Sequence, residues 1–507
     1  MPNVSDRCKP SRRGVEAGAM TKPNQPWFVR RPMPPRAEVH KIHLIGIAGA
    51  GMGAFAGMLQ AAGFEVRGSD RNVYPPMSTE LSALGIPWME GWDAAHLDWA
   101  PDLVIVGNVC RRDNPESVAA EARGIPSVSF PQAFGDLFLE DAVPVVVTGT
   151  HGKTTTTALT TCVLHHVGAA PGMLVGGVTR NFDSTFLLGG GAGAPFVVEG
   201  DEYDTAWFDK GPKFLHYRPR ICVLNNIEFD HADIYDTLEE IEENFDRLMD
   251  LLGPETLLLA NVDDPLVMKR AARAQGRVRT YGFGPEASLR AIDVEPNAAG
   301  CAFTFIEDGL ARGRVQSPLA GRHNVWNALA AIGVARSLGY SIEAAVAGLA
   351  EYRGVKKRQE EKGEARGVLV IDDYGHHPTA IDETLRALRA RYPGRRLWAV
   401  YEPKSNTARR NVHQQAYAAC FDAADQVLFS RPFVKDDKLT ADEKLDLDQL
   451  VADLTARGRP ARHRPTVDAL VTLLADEAQP GDVVVFMSSS GFEGIHDKLL
   501  ARLRGAV

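Results

Sequence analysis

The chain has 507 residues, 45% of them hydrophobic and 24% charged, which is ordinary for a globular protein and enough for roughly two to four domains. A formal net charge of −9 argues against a nucleic-acid or anionic-membrane partner, so an anionic substrate needs local cations or a metal. Six scattered cysteines with no Cys-x-x-Cys pair argue against a zinc site or disulfide scaffold and fit a reducing compartment, and no apolar run approaches the length of a membrane span.

Residues 1–38 are rich in Pro, Arg and Lys and lack a central apolar stretch. They read as a disordered tail, not a secretory signal, with either Met1 or Met20 as the start. Order begins at Lys41. Residues 42–47 read as a strand, and Gly46, Gly49, Gly51 and Gly53 follow it closely, with a helical run to Ala62 and a second strand ending in Asp70. This is a mononucleotide-binding strand–helix–strand unit. Its glycines and acid would suit a nicotinamide cofactor, but such a turn can cradle any nucleotide diphosphate. Short strands at 103–107 and 126–130 complete a first domain spanning 39–140.

Residues 145–157, Val-Val-Val-Thr-Gly-Thr-His-Gly-Lys-Thr-Thr-Thr-Thr, are the strongest signal in the chain. An apolar strand runs into a glycine turn and then a helix, which aims successive N–H groups and a helix dipole at an anion. Gly149 and Gly152 allow the wrap around Thr150 and His151, Lys153 supplies a charge for outer phosphates, and Thr154, beside Thr155, offers a hydroxyl to Mg²⁺. The glycine spacing is shorter than in the common phosphate loop.

A second strand of this domain ends at Glu199, followed by Asp201, Glu202 and Asp204. An acid there is expected to hold Mg²⁺, and Glu199, set directly on the strand, is the best candidate; otherwise the cluster is a solvated loop. Another strand, 221–226, runs into a polar stretch ending near Asp233, where His231 is either a second Mg²⁺ or Mn²⁺ ligand or structural. Residues 285–320 suggest short antiparallel strands. Asn324 either caps the helix that begins there or meets an adenine edge. Residues 352–360 carry three consecutive cations, Lys356, Lys357 and Arg358, that either neutralise a phosphate or form a solvated linker. The central domain is placed at 141–365.

From residue 366 to 507 strands again alternate with helices, which argues a small parallel α/β domain. Residues 368–378 run from strand to acidic turn to helix through Asp372 and Asp373, and the strand 397–401 opens into Glu402, Lys404, Ser405 and Asn406.

Taken in this order, residues 148–155, Glu199, 226–231, 321–324 and 372–378 resemble the Mur ligases, the ATP-dependent amide ligases of peptidoglycan metabolism. The likeness runs from Lys41 to the C-terminus. It implies an α/β fold of three domains: an N-terminal Rossmann-like domain for a UDP-sugar, a central phosphate-loop ATPase-like domain, and a C-terminal Rossmann-like domain that meets the incoming peptide and completes the ATP site. Within the family, stretches 199–210, 401–407 and 487–496 look closest to the branch that joins UDP-N-acetylmuramate to the salvaged tripeptide L-alanyl-γ-D-glutamyl-meso-diaminopimelate.

The resemblance implies site roles as well. Gly149, Thr150, His151, Gly152, Lys153, Thr154, Thr155, Asn324, Arg358 and Asp373 would bind ATP. Lys153, His231, Arg358 and Asp373 would act in catalysis, with Thr154, Glu199 and His231 on Mg²⁺ or Mn²⁺. Gly46, Ala48, Gly49, Gly51, Met52 and Asp70 would hold the UDP-sugar, and Glu402, Lys404, Ser405 and Asn406 the peptide. A cytoplasmic enzyme is implied, monomer or dimer, with no nucleic-acid or membrane partner. The nearest rival is the ligase that adds L-alanine to the same sugar. A nicotinamide-dependent dehydrogenase leaves the phosphate loop idle, and a regulatory ATPase leaves the third domain's motifs unexplained.

Overall fold

The computed structural model describes residues 28–71, 73–74, 77–432 and 439–505. Most of the expected tail, 1–27, lies outside the described residues. From Phe28 onward, however, that segment runs against the body of the protein. Arg31 N donates to Gln132 Oε1 and Gln132 Nε2 returns a bond to Arg31 O, while the Arg31 guanidinium lies 3.7 Å from the centre of the Phe208 ring. The planar cation on an aromatic face and the paired amide bonds explain why residues of tail-like composition dock here.

The first domain is a sheet of five parallel strands in the order Trp88–Glu90, Glu65–Asp70, Lys41–Ile45, Leu103–Val106, Ser127–Ser129. The chain's first strand sits in the middle and later strands add on either side. Such a reversal opens a crevice at the carboxyl ends of the strands. Gly46 lies in that crevice at φ +87°, where a Cβ would come 3.0 Å from Val109 Cγ1. The helix Ala50–Ala61 follows it and buries Phe55, Met58 and Leu59.

The central sheet has ten strands. Seven neighbours run parallel, in the order Gly172–Thr179, Pro195–Gly200, Val143–Thr148, Ile221–Leu224, Leu257–Asn261, Arg277–Gly282, Leu289–Asn297. Val143–Thr148 is again the strand from which the order reverses. The strands expected between 285 and 320 are longer than a short meander. Leu289–Asn297, Gly300–Glu307 and Leu310–Ser317 are antiparallel to one another, eight or nine residues each, and they extend this same sheet. Alternate residues of Gly300–Glu307 turn inward, so one face joins the core and the other meets water.

The third sheet runs Glu360–Ala365, Val368–Asp373, Val483–Met487, Leu397–Tyr401, Gln426–Ser430, Ala461–Arg464, parallel except for its first member, so the third domain begins at Glu360 and not at 366, because that strand pairs with Val368–Asp373. Its joint with the central domain differs in kind from the other one. The first and central domains share one apolar cluster in which Phe134 packs edge-on against Phe196 and Tyr217. Between the central and third domains the described bonds are polar: Thr379 to Glu228, Asn406 to Asp233, Ala232 to Thr407.

Candidate active site

Val143–Thr148 reads Val-Pro-Val-Val-Val-Thr and is almost wholly buried, as a strand covered on both faces must be. Its carboxyl end becomes the turn 149–152, and the helix Lys153–His166 starts at once with Gly152 as its cap at φ +81°. Gly149 has φ +122°, and a Cβ there would stand 2.9 Å from the backbone N and O of Asn226. Only glycine fits that approach. The neighbouring strand end pins the turn: Thr150 N donates to Asn226 O at 3.0 Å, His151 N to Asn226 Oδ1 at 2.7 Å, and Glu228 N to Thr150 Oγ1 at 2.8 Å. The first N–H groups of the helix, which have no intrahelical acceptor, face the same turn.

Lys153 Nζ donates to Gly149 O at 2.7 Å, to Thr150 O at 3.3 Å and to Glu202 Oε2 at 2.8 Å. Burial works against its charge, but Glu202 and Asp201 outweigh burial and hold its pKa above the usual lysine value. Glu202 is the residue the sequence reading passed over. It is 1% exposed, and its second oxygen, Oε1, lies 3.6 Å from His231 Nε2, beyond hydrogen-bond length. That oxygen is buried and has no hydrogen-bond partner among the described residues. A solvated acidic loop would look nothing like this. The signal for Glu202 was its place just past a strand beside the phosphate loop.

Glu199 ends the strand on one side of the loop and accepts from Gly176 N at 2.7 Å. Burial, and then the neighbouring Asp201, raise its pKa above the ordinary carboxyl value. His231 follows the strand on the other side, at φ +55°. For His231 burial disfavours charge, but Glu202 and Asp230 prevail and raise its pKa. Thr154, Glu199, Glu202 and His231 are therefore oxygen and nitrogen donors on both flanks of one turn. This set suits a hard divalent cation.

The third domain reaches the same turn. Arg358 Nη2 lies 3.4 Å from Thr154 Oγ1, and its guanidinium is 4.7 Å from the centre of the Tyr374 ring. Asp373 is buried and accepts from Gln359 N at 2.9 Å and Gly375 N at 2.8 Å; burial raises its pKa. Of the three consecutive cations, only Arg358 points at the loop. Lys356 is half-exposed and 3.7 Å from Asp183, while Lys357 Nζ donates to Ser490 O.

Asn324 does not cap its helix. Gly321 holds that position, and Asn324 lies inside the first turn with its Nδ2 on Ala320 O at 2.7 Å and its Oδ1 accepting from Asn327. In the first domain, Asp70 Oδ2 accepts from Ala48 N at 2.9 Å, so this acid braces the glycine turn. Gly49 and Gly51 are exposed beside it and Met52 is buried. Past the strand Leu397–Tyr401, Glu402 is buried and accepts from the Ser488 and Ser490 hydroxyls. Lys404 Nζ is 3.9 Å from it. Ser405 Oγ accepts from Ala408 N, and Asn406 Nδ2 donates to Asp233 at 2.7 Å.

Sequence reasoning also missed the pairing of His151 and His377. His377 caps the helix Pro378–Arg391, and its ring centre is 4.5 Å from that of His151. Glu228 lies between them, its pKa down to about 2: the His151 imidazole and the Thr379 hydroxyl favour the carboxylate more than burial disfavours it.

Comparison with known proteins covers nearly the same span. The description "Mur ligase family, catalytic domain" matches residues 41–141, "Mur ligase middle domain" 147–335, and "Mur ligase, glutamate ligase domain" 357–490. The UDP-N-acetylmuramate–L-alanyl-γ-D-glutamyl-meso-2,6-diaminoheptandioate ligase of Escherichia coli K12 is 39% identical over 462 residues, 91% of this chain and 97% of its own. The UDP-N-acetylmuramate–L-alanine ligase of Rhodospirillum centenum is 36% identical over 91% of this chain and 94% of its own. The crystal structure of a murein peptide ligase from Psychrobacter arcticus matches with a TM-score of 0.69 at 34% identity, covering 92% of this chain and 99% of that one.

Proposed function

The chain belongs to the Mur ligase family, and from that premise we infer that it joins the carboxylate of UDP-N-acetylmuramate to the amine of L-alanyl-γ-D-glutamyl-meso-diaminopimelate in an ATP-dependent reaction of peptidoglycan recycling. The observation that carries the chemistry is the convergence of Lys153, Glu199, Glu202 and His231 with Arg358, from the linker to the third domain, on one phosphate-binding turn. That arrangement suits transfer of a terminal phosphoryl group to a carboxylate. The resulting acyl phosphate is attacked by the amine, and phosphate leaves.

On this reading the turn's N–H groups and Lys153 hold the outer phosphates. Nucleotide entry exchanges the lysine's bonds to Gly149, Thr150 and Glu202 for phosphate oxygens. Thr154, Glu199 and His231 hold Mg²⁺, or Mn²⁺ in its place, and the orphaned Glu202 oxygen is a fourth donor beside them. When bound, the cation neutralises charge building on the phosphates. Arg358 supplies the opposite wall from the linker, and Asp373 of the third domain fixes that linker in place. Asn324 meets adenine, the turn from Gly46 to Met52 cradles the UDP moiety, and Glu402, Lys404, Ser405 and Asn406 face the peptide. A reaction that consumes ATP and a UDP-sugar belongs in the cytoplasm, in keeping with five buried free cysteines among the described residues.

One assay tests this. The protein is mixed with ATP, Mg²⁺ and UDP-N-acetylmuramate plus either the tripeptide or L-alanine, and ADP and product mass are measured. We expect product with the tripeptide. Product only with L-alanine would overturn the substrate assignment, and ADP release that ignores the sugar would favour an ATPase.

A further inference from the structure

His151, Glu228 and His377 offer one ligand atom each, all within 4.8 Å of one another. Glu228 Oε2 lies 3.1 Å from His151 Nε2 and 3.4 Å from His377 Nδ1. Two donors about 2.0–2.1 Å from a tetrahedral Zn²⁺ are about 3.3 Å apart, so two of the three edges already have coordination length.

The hydrogen bonds sort the atoms. His377 Nε2 faces the Phe229 carbonyl at 3.2 Å, which calls for a proton on Nε2. His377 Nδ1 is then the lone-pair nitrogen, and it accepts from Thr379 N at 3.3 Å. His377 Nδ1 and Glu228 Oε2 thus stand 3.4 Å apart, and Thr379 serves both, its N–H on Nδ1 and its hydroxyl on Oε2. A cation entering beside both atoms would take the Nδ1 lone pair in place of the long bond from Thr379 N. The outer partners are also those of a metal site: the Thr379 hydroxyl donates to Glu228 Oε2 at 2.7 Å, and the second nitrogen of His377 is tied to a backbone carbonyl. The pocket is not sealed, for the Glu228 side chain is 33% exposed.

We propose that His151, Glu228 and His377 form a binding site for a borderline divalent cation such as Zn²⁺ or Co²⁺, separate from the oxygen-rich Mg²⁺ site, that fastens the third domain to the central one. Two imidazoles and a carboxylate select such ions over Mg²⁺. His151 and Glu228 come from the central domain and His377 from the first turn of a third-domain helix, so the site exists only while the two are docked. Bound cation therefore stabilises the docked arrangement.

The test uses the full chain without nucleotide or sugar, in excess Mg²⁺, titrated with Co²⁺, so it stands or falls apart from the ligase reading. We expect one equivalent of Co²⁺ to give a visible ligand-field band and to raise the thermal midpoint. Both effects should vanish in His377→Ala and His151→Asn, and persist in His231→Ala, which alters only the nucleotide-metal site. Thr379→Val should weaken Co²⁺ about tenfold by freeing the carboxylate. Melting in chelator shows whether each variant folds; if His377→Ala does not, His151→Asn and Thr379→Val decide. No band in the parent protein, a band indifferent to His151 and Thr379, or one lost in His231→Ala would overturn the proposal.

Discussion

At the scale of single residues, the charge on Lys153 has two claimants. Glu202 and the loop carbonyls hold it within the protein, and on the proposed reading phosphate oxygens take their place. Lys153→Ala should lower turnover by about a thousandfold or more, while calorimetric binding of the UDP-sugar, which the proposed reading assigns to the first domain, should survive. Equal loss of both would move the phosphate site elsewhere. Glu116 shows the same logic away from the site. It is wholly buried and takes bonds from His43, His96 and Ser69. Burial disfavours its charge, but these partners outweigh burial and hold its pKa below the ordinary carboxyl value. Its charge therefore stabilises the fold fully above the unfolded carboxyl pKa, about 4.3, and this contribution fades as pH falls through the lower folded value. Glu116→Gln should cost about 3 kcal/mol at neutral pH. The gap between the urea midpoints of variant and parent should close as the solution is acidified.

At the scale of elements, the linker from Gly354 to Glu360 acts as a two-sided clasp. Lys356 N donates to Val178 O on the central sheet, and Tyr374 N of the third domain donates to Lys357 O. Lys357 and Gln359 both have positive φ, a strained pair that swings Arg358 toward Thr154 while its neighbours point away. Three cations in a row were legible in the sequence. Which one faces the loop was not, because it depends on those two dihedrals. The first joint rests on rings: Phe134 is wholly buried between Phe196 and Tyr217. Phe134→Ala should destabilise by about 3–5 kcal/mol and split one thermal transition of the first two domains into two, read by calorimetry. A single unshifted transition would show that these domains are held some other way.

At the scale of the whole molecule, the two joints predict where motion occurs. Apolar burial resists opening, whereas polar contacts exchange with water at little net loss. The third domain is therefore expected to swing, and on the proposed reading this motion carries Asp373 and the linker that bears Arg358 to and from the nucleotide. Asn406→Ala together with Thr407→Val removes bonds to Asp233 and Ala232. In small-angle scattering the ligand-free variant should show a larger radius of gyration than the parent. ATP with Mg²⁺ should reverse the change, and an unchanged radius would place the moving joint elsewhere. The sequence by itself determined the glycine turn ahead of Lys153, the three-domain α/β order and the family, since a strand, glycines with positive φ and a helix start are local features written in consecutive residues. Only the tertiary structure decided that Glu202 holds Lys153, that Phe28 to Glu38 dock, and that His377 meets His151. Each of those pairings joins side chains far apart in the chain, and which buried charge finds which partner is settled by how the sheets stack.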